Sequence, residues 1–277
     1  MGYLEYKFII EPYDRDLSDI LIAFLSEEGF DSFVENSDGL LAYIDDSQDI
    51  IDRVNSILQN LSSQSEINFS VNYIEKQNWN ILWESNFEPV FIDHQVAILA
   101  PFHQPEREYK YTLIIEPKMS FGTGHHETTM LMIENMLQLN FKNSSVLDMG
   151  CGTGVLAIFA SKLGASDILA IDIDEWAVDN SVENCKRNNA TEISVLKGDA
   201  SAIPPRTFDF ILANINKNVL IQDIPLYVNH LNRNATVLLS GFYEDDIVDI
   251  ENICKSNHLK RTMVRSKNRW VSMAFQL

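Results

Sequence analysis

Nine residues, Val146-Leu-Asp-Met-Gly-Cys-Gly-Thr-Gly154, constrain this chain more than any other stretch. An apolar strand runs into a loop with glycine at positions 150, 152 and 154, and a helical run, Val155-Leu-Ala-Ile-Phe-Ala160, starts at once. Glycine tolerates tight turns and lets a ligand lie against bare backbone, so the segment reads as a strand, ligand loop and helix of an α/β domain.

The flanking sequence agrees. Strands rich in Ile and Val at 146–149, 168–173, 193–196, 208–213 and 237–240 alternate with helical patterns, which predicts a Rossmann-like, doubly wound α/β sheet over 89–277. Residues 1–74 read as a separate βαββαβ module. Tyr3–Ile10 alternates as a strand, Leu17, Ile20, Leu21, Phe24 and Leu25 recur at helical spacing, and Gly39 divides a hairpin. A second amphipathic helix (Ile50, Val54, Ile57, Leu58, Leu61) and a strand around Phe69–Ile74 complete a ferredoxin-like order. Between the two, 75–88 carries Trp79 and Trp83 on one helical face before Pro89, and is expected to be a helical linker.

The loop's ligand follows from its acids. Gly152, Gly154 and Ala157 satisfy the dinucleotide pattern G-x-G-x-x-G/A, a weak signal by itself. Asp148 stands at the loop entrance, where it would repel a pyrophosphate but welcome an ammonium or sulfonium. That favours S-adenosyl-L-methionine, with Gly150, Gly152 and Gly154 forming the cradle. Asp172, eighteen residues past Gly154 at the end of the next strand, is placed to accept the ribose hydroxyls. Asp174 is better placed to cap the following helix. Asp199, after the third strand, either meets the adenine amine or makes a surface turn. Asn214 ends the fourth strand and should face the transferred methyl, unless it only ties down a loop.

Upstream lies Glu116-Pro-Lys-Met-Ser-Phe-Gly-Thr-Gly-His-His-Glu-Thr-Thr129. Together with Asn78-Trp79 to Pro89, the glycine loop and Ala213-Asn214-Ile215, it resembles the bacterial ribosomal protein L-eleven methyltransferases, over nearly the whole catalytic domain. Lys118 and Ser120 stand where that family usually has glycine and alanine. The resemblance implies a class I S-adenosylmethionine-dependent protein lysine methyltransferase in which Phe121, Thr123, Gly124 and Thr129 close over the cofactor. Gly150, Asp172 and Asn214 are implied cofactor contacts; separately, Asn214 with the adjoining backbone carbonyls is expected to accept hydrogen bonds from the acceptor amine and orient its lone pair toward the methyl. It further implies a small lysine-bearing ribosomal protein as partner, modified on side chains and potentially on its amino terminus, with residues 1–74 recognising it.

Charge is compatible with that partner. Acidic residues number 40 against 21 basic, a net −19 that attracts a basic protein and opposes direct nucleic-acid binding. Adenine methylation would also want two prolines after an Asn or Asp at the strand end, whereas Asn214-Ile-Asn-Lys217 has neither. Three scattered cysteines form no disulfide framework or metal motif, adjacent His125 and His126 point apart rather than chelating, and no apolar run reaches membrane-span length. A cytoplasmic enzyme without metal is expected. The paired threonines 128 and 129 open a helix and are candidates for its N-cap. A small-molecule methyltransferase and a non-catalytic cofactor-binding adaptor remain the competing readings.

Overall fold

The computed structural model describes residues 2–45, 50–61, 65–74, 87–105, 107–118 and 122–277. The chain divides into two compact units, Met1–Phe87 and Glu88–Leu277. The linker expected at 75–88, with Trp79 and Trp83, lies almost wholly outside the described residues.

In the first unit, β1 (Tyr3–Glu11), α1 (Arg15–Glu27), β2 (Ser32–Asn36), β3 (Gly39–Asp45), α2 (Ile51–Leu61) and β4 (Glu66–Ile74) follow one another as expected. The strands form an antiparallel sheet in the order β2-β3-β1-β4. Alternation along β1 sends Tyr6, Phe8 and Ile10 inward, where Tyr6 and Phe8 pack with Leu21 and Leu25 of α1 and Val54 of α2. Asp14 caps α1 by accepting from the backbone N–H groups of Asp16 and Leu17.

The second unit opens with a small sheet of β5 (Val90–Ile92), β6 (Val96–Leu99) and β7 (Tyr111–Ile114). Its main sheet has seven strands in the order β10-β9-β8-β11-β12-β14-β13. These are β8 (Ser145–Met149), β9 (Asp167–Asp172), β10 (Ile193–Lys197), β11 (Phe208–Asn214), β12 (Leu231–Tyr243), β13 (Lys260–Lys267) and β14 (Trp270–Gln276). The helices are α3 (Glu127–Met136), α4 (Val155–Lys162), α5 (Glu175–Arg187), α6 (Lys217–Val228) and α7 (Ile247–Ser256). Successive residues of β8 and β11 feed opposite cores. Val146, Phe210 and Leu212 join Met132, Ile133 and Leu156 on one face, while Leu147, Met149 and Ile211 join Leu220, Ile224 and Ile250 on the other. Strands covered on both faces give the near-continuous apolar runs seen in the sequence.

The parallel part of the sheet matches the expectation, but the expectation stopped one hairpin short. Strands β13 and β14 pair antiparallel, and β14 adds antiparallel to β12. Their two-residue turn, Asn268-Arg269, holds both residues at positive φ, 50° and 68°. A hairpin turn of that type normally announces itself as Asn-Gly. Arginine in the second position hides the signal.

Candidate cofactor and acceptor site

Backbone hydrogen bonding builds the glycine loop around the end of β9. Gly150 and Cys151 both donate to the Ile171 carbonyl, at 2.8 and 3.1 Å, and Gly154 donates to Cys151 at 2.8 Å. That double turn needs positive φ at Gly150, Gly152 and Gly154, 69°, 54° and 78°. A Cβ on Gly150 would run into the Ile215 side chain. The loop leaves the N-terminus of α4 open, and Asp148 closes it from beneath. Its Oδ2 accepts from Ala157 N–H at 3.0 Å.

A cavity of about 550 Å³ lies beyond the carboxyl ends of the parallel strands, where open α/β sheets bind ligands. Its walls follow the strand order. Gly198 and Asp199 come after β10, Asp172 from the end of β9, Gly150 and Gly152 after β8, Asn214 from β11, Gly241 from β12 and Trp270 from β14. Asp172 does two jobs there. One carboxylate oxygen accepts from Gly152 N–H at 2.8 Å and the other from Asp174 N–H at 3.0 Å, so it pins the loop while facing the cavity. A carboxylate offers about four acceptor positions, which leaves capacity for two ribose hydroxyls.

Asp174 caps α5 through Trp176 N–H, as its position predicted. Asp199 lines the cavity and also makes a turn. It accepts from Ser201 N–H and Oγ at 2.9 and 2.6 Å, and the Ser201 hydroxyl does most to hold its pKa below the usual carboxylate range. Asn214 faces the cavity with its amide NH2 directed at Thr129 Oγ1, 3.4 Å away, and its buried Oδ1 has no hydrogen-bond partner among the described residues.

Other expected residues sit elsewhere. Asp148 is 1% exposed and lies under the loop rather than on the cavity wall. Burial pushes its pKa up to about 7, against the Ala157 hydrogen bond and with a push from Asp172. Its position is explained by α4, whose first N–H groups need an acceptor that the left-handed Gly154 cannot provide. Gly154 shapes the helix entry without lining the cavity, and a Cβ there would meet the Ser181 hydroxyl. Thr129 is buried behind Asn214. Thr123 lies within 3.1 Å of His125 Nδ1, and Gly124 sits so close to Ile98 that a Cβ would come within 2.6 Å of its Cδ1. Neither residue is on the cavity wall. Phe121 is outside the described residues.

The cap of α3 needs correcting. It is His126, not the paired threonines: His126 Nδ1 accepts from Thr128 N–H at 3.3 Å and lies 2.8 Å from Thr128 Oγ1. The helix therefore starts at Glu127, earlier than a threonine cap would place it, and both His126 and Thr128 reach the cavity. Sequence reasoning also missed Ile173, Asp223, Gly241 and Trp270 as lining residues. Ile173, next to Asp172 and 73% exposed, could have been suspected from its place at a strand end. The others arrive from segments whose contact with the loop is purely tertiary.

Among the described residues the cavity wall carries the carboxylates of Asp172, Asp174, Asp199 and Asp223 and no lysine or arginine. Such a set opposes a diphosphate and fits a ligand with a ribose, an amine-bearing base and a cationic sulfonium and ammonium. These residues fit S-adenosylmethionine. Among the described residues no group of three or more His, Cys, Asp or Glu side chains is arranged to hold a metal.

Known proteins point the same way. The family model described as ribosomal protein L11 methyltransferase (PrmA) matches residues 22–277. The ribosomal protein L11 methyltransferase of Bacteroides thetaiotaomicron is 42% identical over 280 residues, covering 99% of both chains. That of Chlorobaculum tepidum is 39% identical over 284 residues, covering 98% of this chain and 95% of the relative. A crystal structure of ribosomal protein L11 methylase from Lactobacillus delbrueckii subsp. bulgaricus superposes with a TM-score of 0.64 at 29% identity, covering 68% of this chain and 98% of that one. With its glycine loop, the strand-end acid Asp172 and the strand-end asparagine Asn214 set around one cavity, this chain belongs to the ribosomal protein L11 methyltransferase family.

Proposed function

We propose that the protein transfers methyl groups from S-adenosylmethionine to lysine side-chain amines of ribosomal protein L11, and that its first unit recognises that partner. One observation carries the reading: among the described residues, four carboxylates and no lysine or arginine line a cavity into which an asparagine carbonyl without a hydrogen-bond partner faces. The relatives are named for methylating ribosomal protein L11, and a net charge of −19 suits a basic acceptor protein.

When bound, the cofactor supplies an electrophilic methyl on a positively charged sulfur. The chain's own residues hold and orient. Asp172 takes the ribose hydroxyls with the acceptor capacity left by Gly152 and Asp174, and the glycine loop lets the ligand approach the backbone. At the far side Asn214 Oδ1 accepts a hydrogen bond from the incoming amine and aims its lone pair. Aimed in this way, the amine lone pair would face the cofactor's methyl in line with the sulfur, which would depart neutral with the electron pair of its carbon bond. The new ammonium then loses a proton to water. Deprotonating a lysine of pKa about 10.4 at pH 7 costs roughly 4.6 kcal/mol, which a nearby positive charge and burial reduce. Positioning and water exclusion supply the rest, without a strong base.

The test is direct. Labelled S-adenosylmethionine is incubated with the protein and undermethylated ribosomal particles or their separated proteins, and the labelled product is identified by mass spectrometry. Label on lysines of L11 is expected; label on RNA, or on another protein alone, would overturn the assignment. Asn214→Ala should lower kcat by about tenfold to a hundredfold while leaving cofactor affinity within a few fold. A kcat near wild type would remove Asn214 from the mechanism.

A further inference from the structure

The cavity continues past the asparagine, and what lies there is aromatic. Trp270 begins β14, which runs antiparallel to β12, so its first residue sits at the carboxyl end of the parallel strands. Tyr243, its cross-strand partner, stacks on the indole with ring centroids 3.9 Å apart and planes 30° apart. The His126 imidazole meets the indole edge-on at 4.7 Å. Held by two rings, the indole has a fixed orientation, and it forms part of the cavity wall together with His126 and Gly241. A register shift between Ser240 and Phe242 bulges β12 at Gly241, where φ is 95° and a Cβ would collide with the Ile215 carbonyl. Gly241 itself therefore puts no side chain between the β11 and β14 ends of the cavity.

The order of strands assigns the two ends. Ribose and base contacts come from β9 and β10, the glycine loop follows β8, Asn214 follows β11, and Trp270 is two strands further in the same direction. Cofactor occupies the β8–β10 side; the acceptor has to come from the other.

We propose that Trp270, clamped by Tyr243 and His126, is the acceptor wall: a positioning residue that holds the alkyl chain and the ammonium of the incoming side chain, and holds its methylated ammonium more strongly. This rests on the amine-methylating reading above. Aromatic faces attract alkylammonium ions, and each added methyl lowers the ion's hydration while enlarging its contact with the ring. An amine that has received one methyl is thus retained for the next, after losing its proton to water. Trp270 thereby sets how many methyl groups an acceptor accumulates.

The experiment compares the full-length wild type with Trp270→Leu, Trp270→Phe and Tyr243→Leu on full-length L11. KM for L11, the methyl count per protein by intact mass at equal cofactor consumption, and S-adenosylhomocysteine affinity by calorimetry are read together. Trp270→Leu should raise the KM for L11 about tenfold, with S-adenosylhomocysteine affinity within about twofold of wild type. It should also shift the mass spectrum toward chains with fewer methyls. Trp270→Phe should restore most of both, and exposed Tyr243→Leu should fall between. Wild-type KM and spectrum in Trp270→Leu overturn the proposal, as does a loss of S-adenosylhomocysteine affinity with the KM for L11 unchanged. A raised KM with an unchanged spectrum overturns its methyl-count half. If wild type itself transfers no methyl to L11, the parent reading has failed instead.

Discussion

Asp148 is the residue whose ionisation the fold governs most directly. It accepts one backbone hydrogen bond at the start of α4, its second oxygen is buried without a partner among the described residues, and burial raises its pKa from 3.8 to about 7. A carboxyl whose folded pKa exceeds its unfolded value is protonated in the folded protein while already ionised in the unfolded chain. Stability should therefore fall as pH rises from about 4 to about 7 and level off above, a loss on the order of 4 kcal/mol for a group this buried. Thermal melts of the ligand-free protein across that range would show it. Asp148→Asn should flatten the slope, and an unchanged slope in the variant would assign it to other groups. Asp172 makes a different prediction. Because it both pins Gly152 and faces the cavity, where we propose that it takes the ribose hydroxyls, Asp172→Ala should weaken cofactor binding by about a hundredfold, as two or more charge-assisted hydrogen bonds vanish at once. Calorimetry with S-adenosylhomocysteine would test this; affinity within a few fold of wild type would exclude Asp172 from the ribose site.

Elements carry the site by where they end. The cavity exists because β8, β9 and β11 stop together and their helices turn away through left-handed glycine or side-chain caps. Gly241 is the strictest of these points, since positive φ and the Ile215 carbonyl both exclude a side chain. Gly241→Ala should cost about 2 kcal/mol or more in stability and lower methyl transfer, as β12 is pushed off the end of β11. A denaturant melt with wild-type midpoint would contradict that account. By comparison His126→Ala, which removes the cap of α3, should cost only about 1 kcal/mol. Its effect on activity should exceed its effect on stability because the same ring braces Trp270.

At the scale of the whole molecule, the chain is two units with separate cores. The described residues that line the cavity all belong to Glu88–Leu277. That segment expressed alone should melt cooperatively and bind S-adenosylhomocysteine with near full-length affinity, but should lose most of its methylation of L11. Undiminished transfer to L11 would show that recognition does not reside in residues 1–87. Charge enters here too: a net −19 should make the association rate with a basic partner fall steeply with added salt. Stopped-flow rates unchanged between low and high salt would rule out that steering.

What could be read from the chain by itself was whatever depends on neighbours in sequence. The βαββαβ order of the first unit, the parallel strands, the glycine loop, Asp172 at the end of β9 and the Asp174 cap all leave local periodicity or spacing behind. Asp148 could be recognised as important but not placed, because only packing decides whether a strand-end carboxylate turns to a ligand or to the helix beneath. The β13–β14 hairpin was hidden by a left-handed Asn-Arg turn, and with it went Trp270. Tertiary structure alone brought Trp270, Gly241 and His126, drawn from three distant segments, to the same end of the cavity as Asn214. Their proximity is set by strand order in the sheet, and strand order leaves no trace in the spacing of residues along a chain.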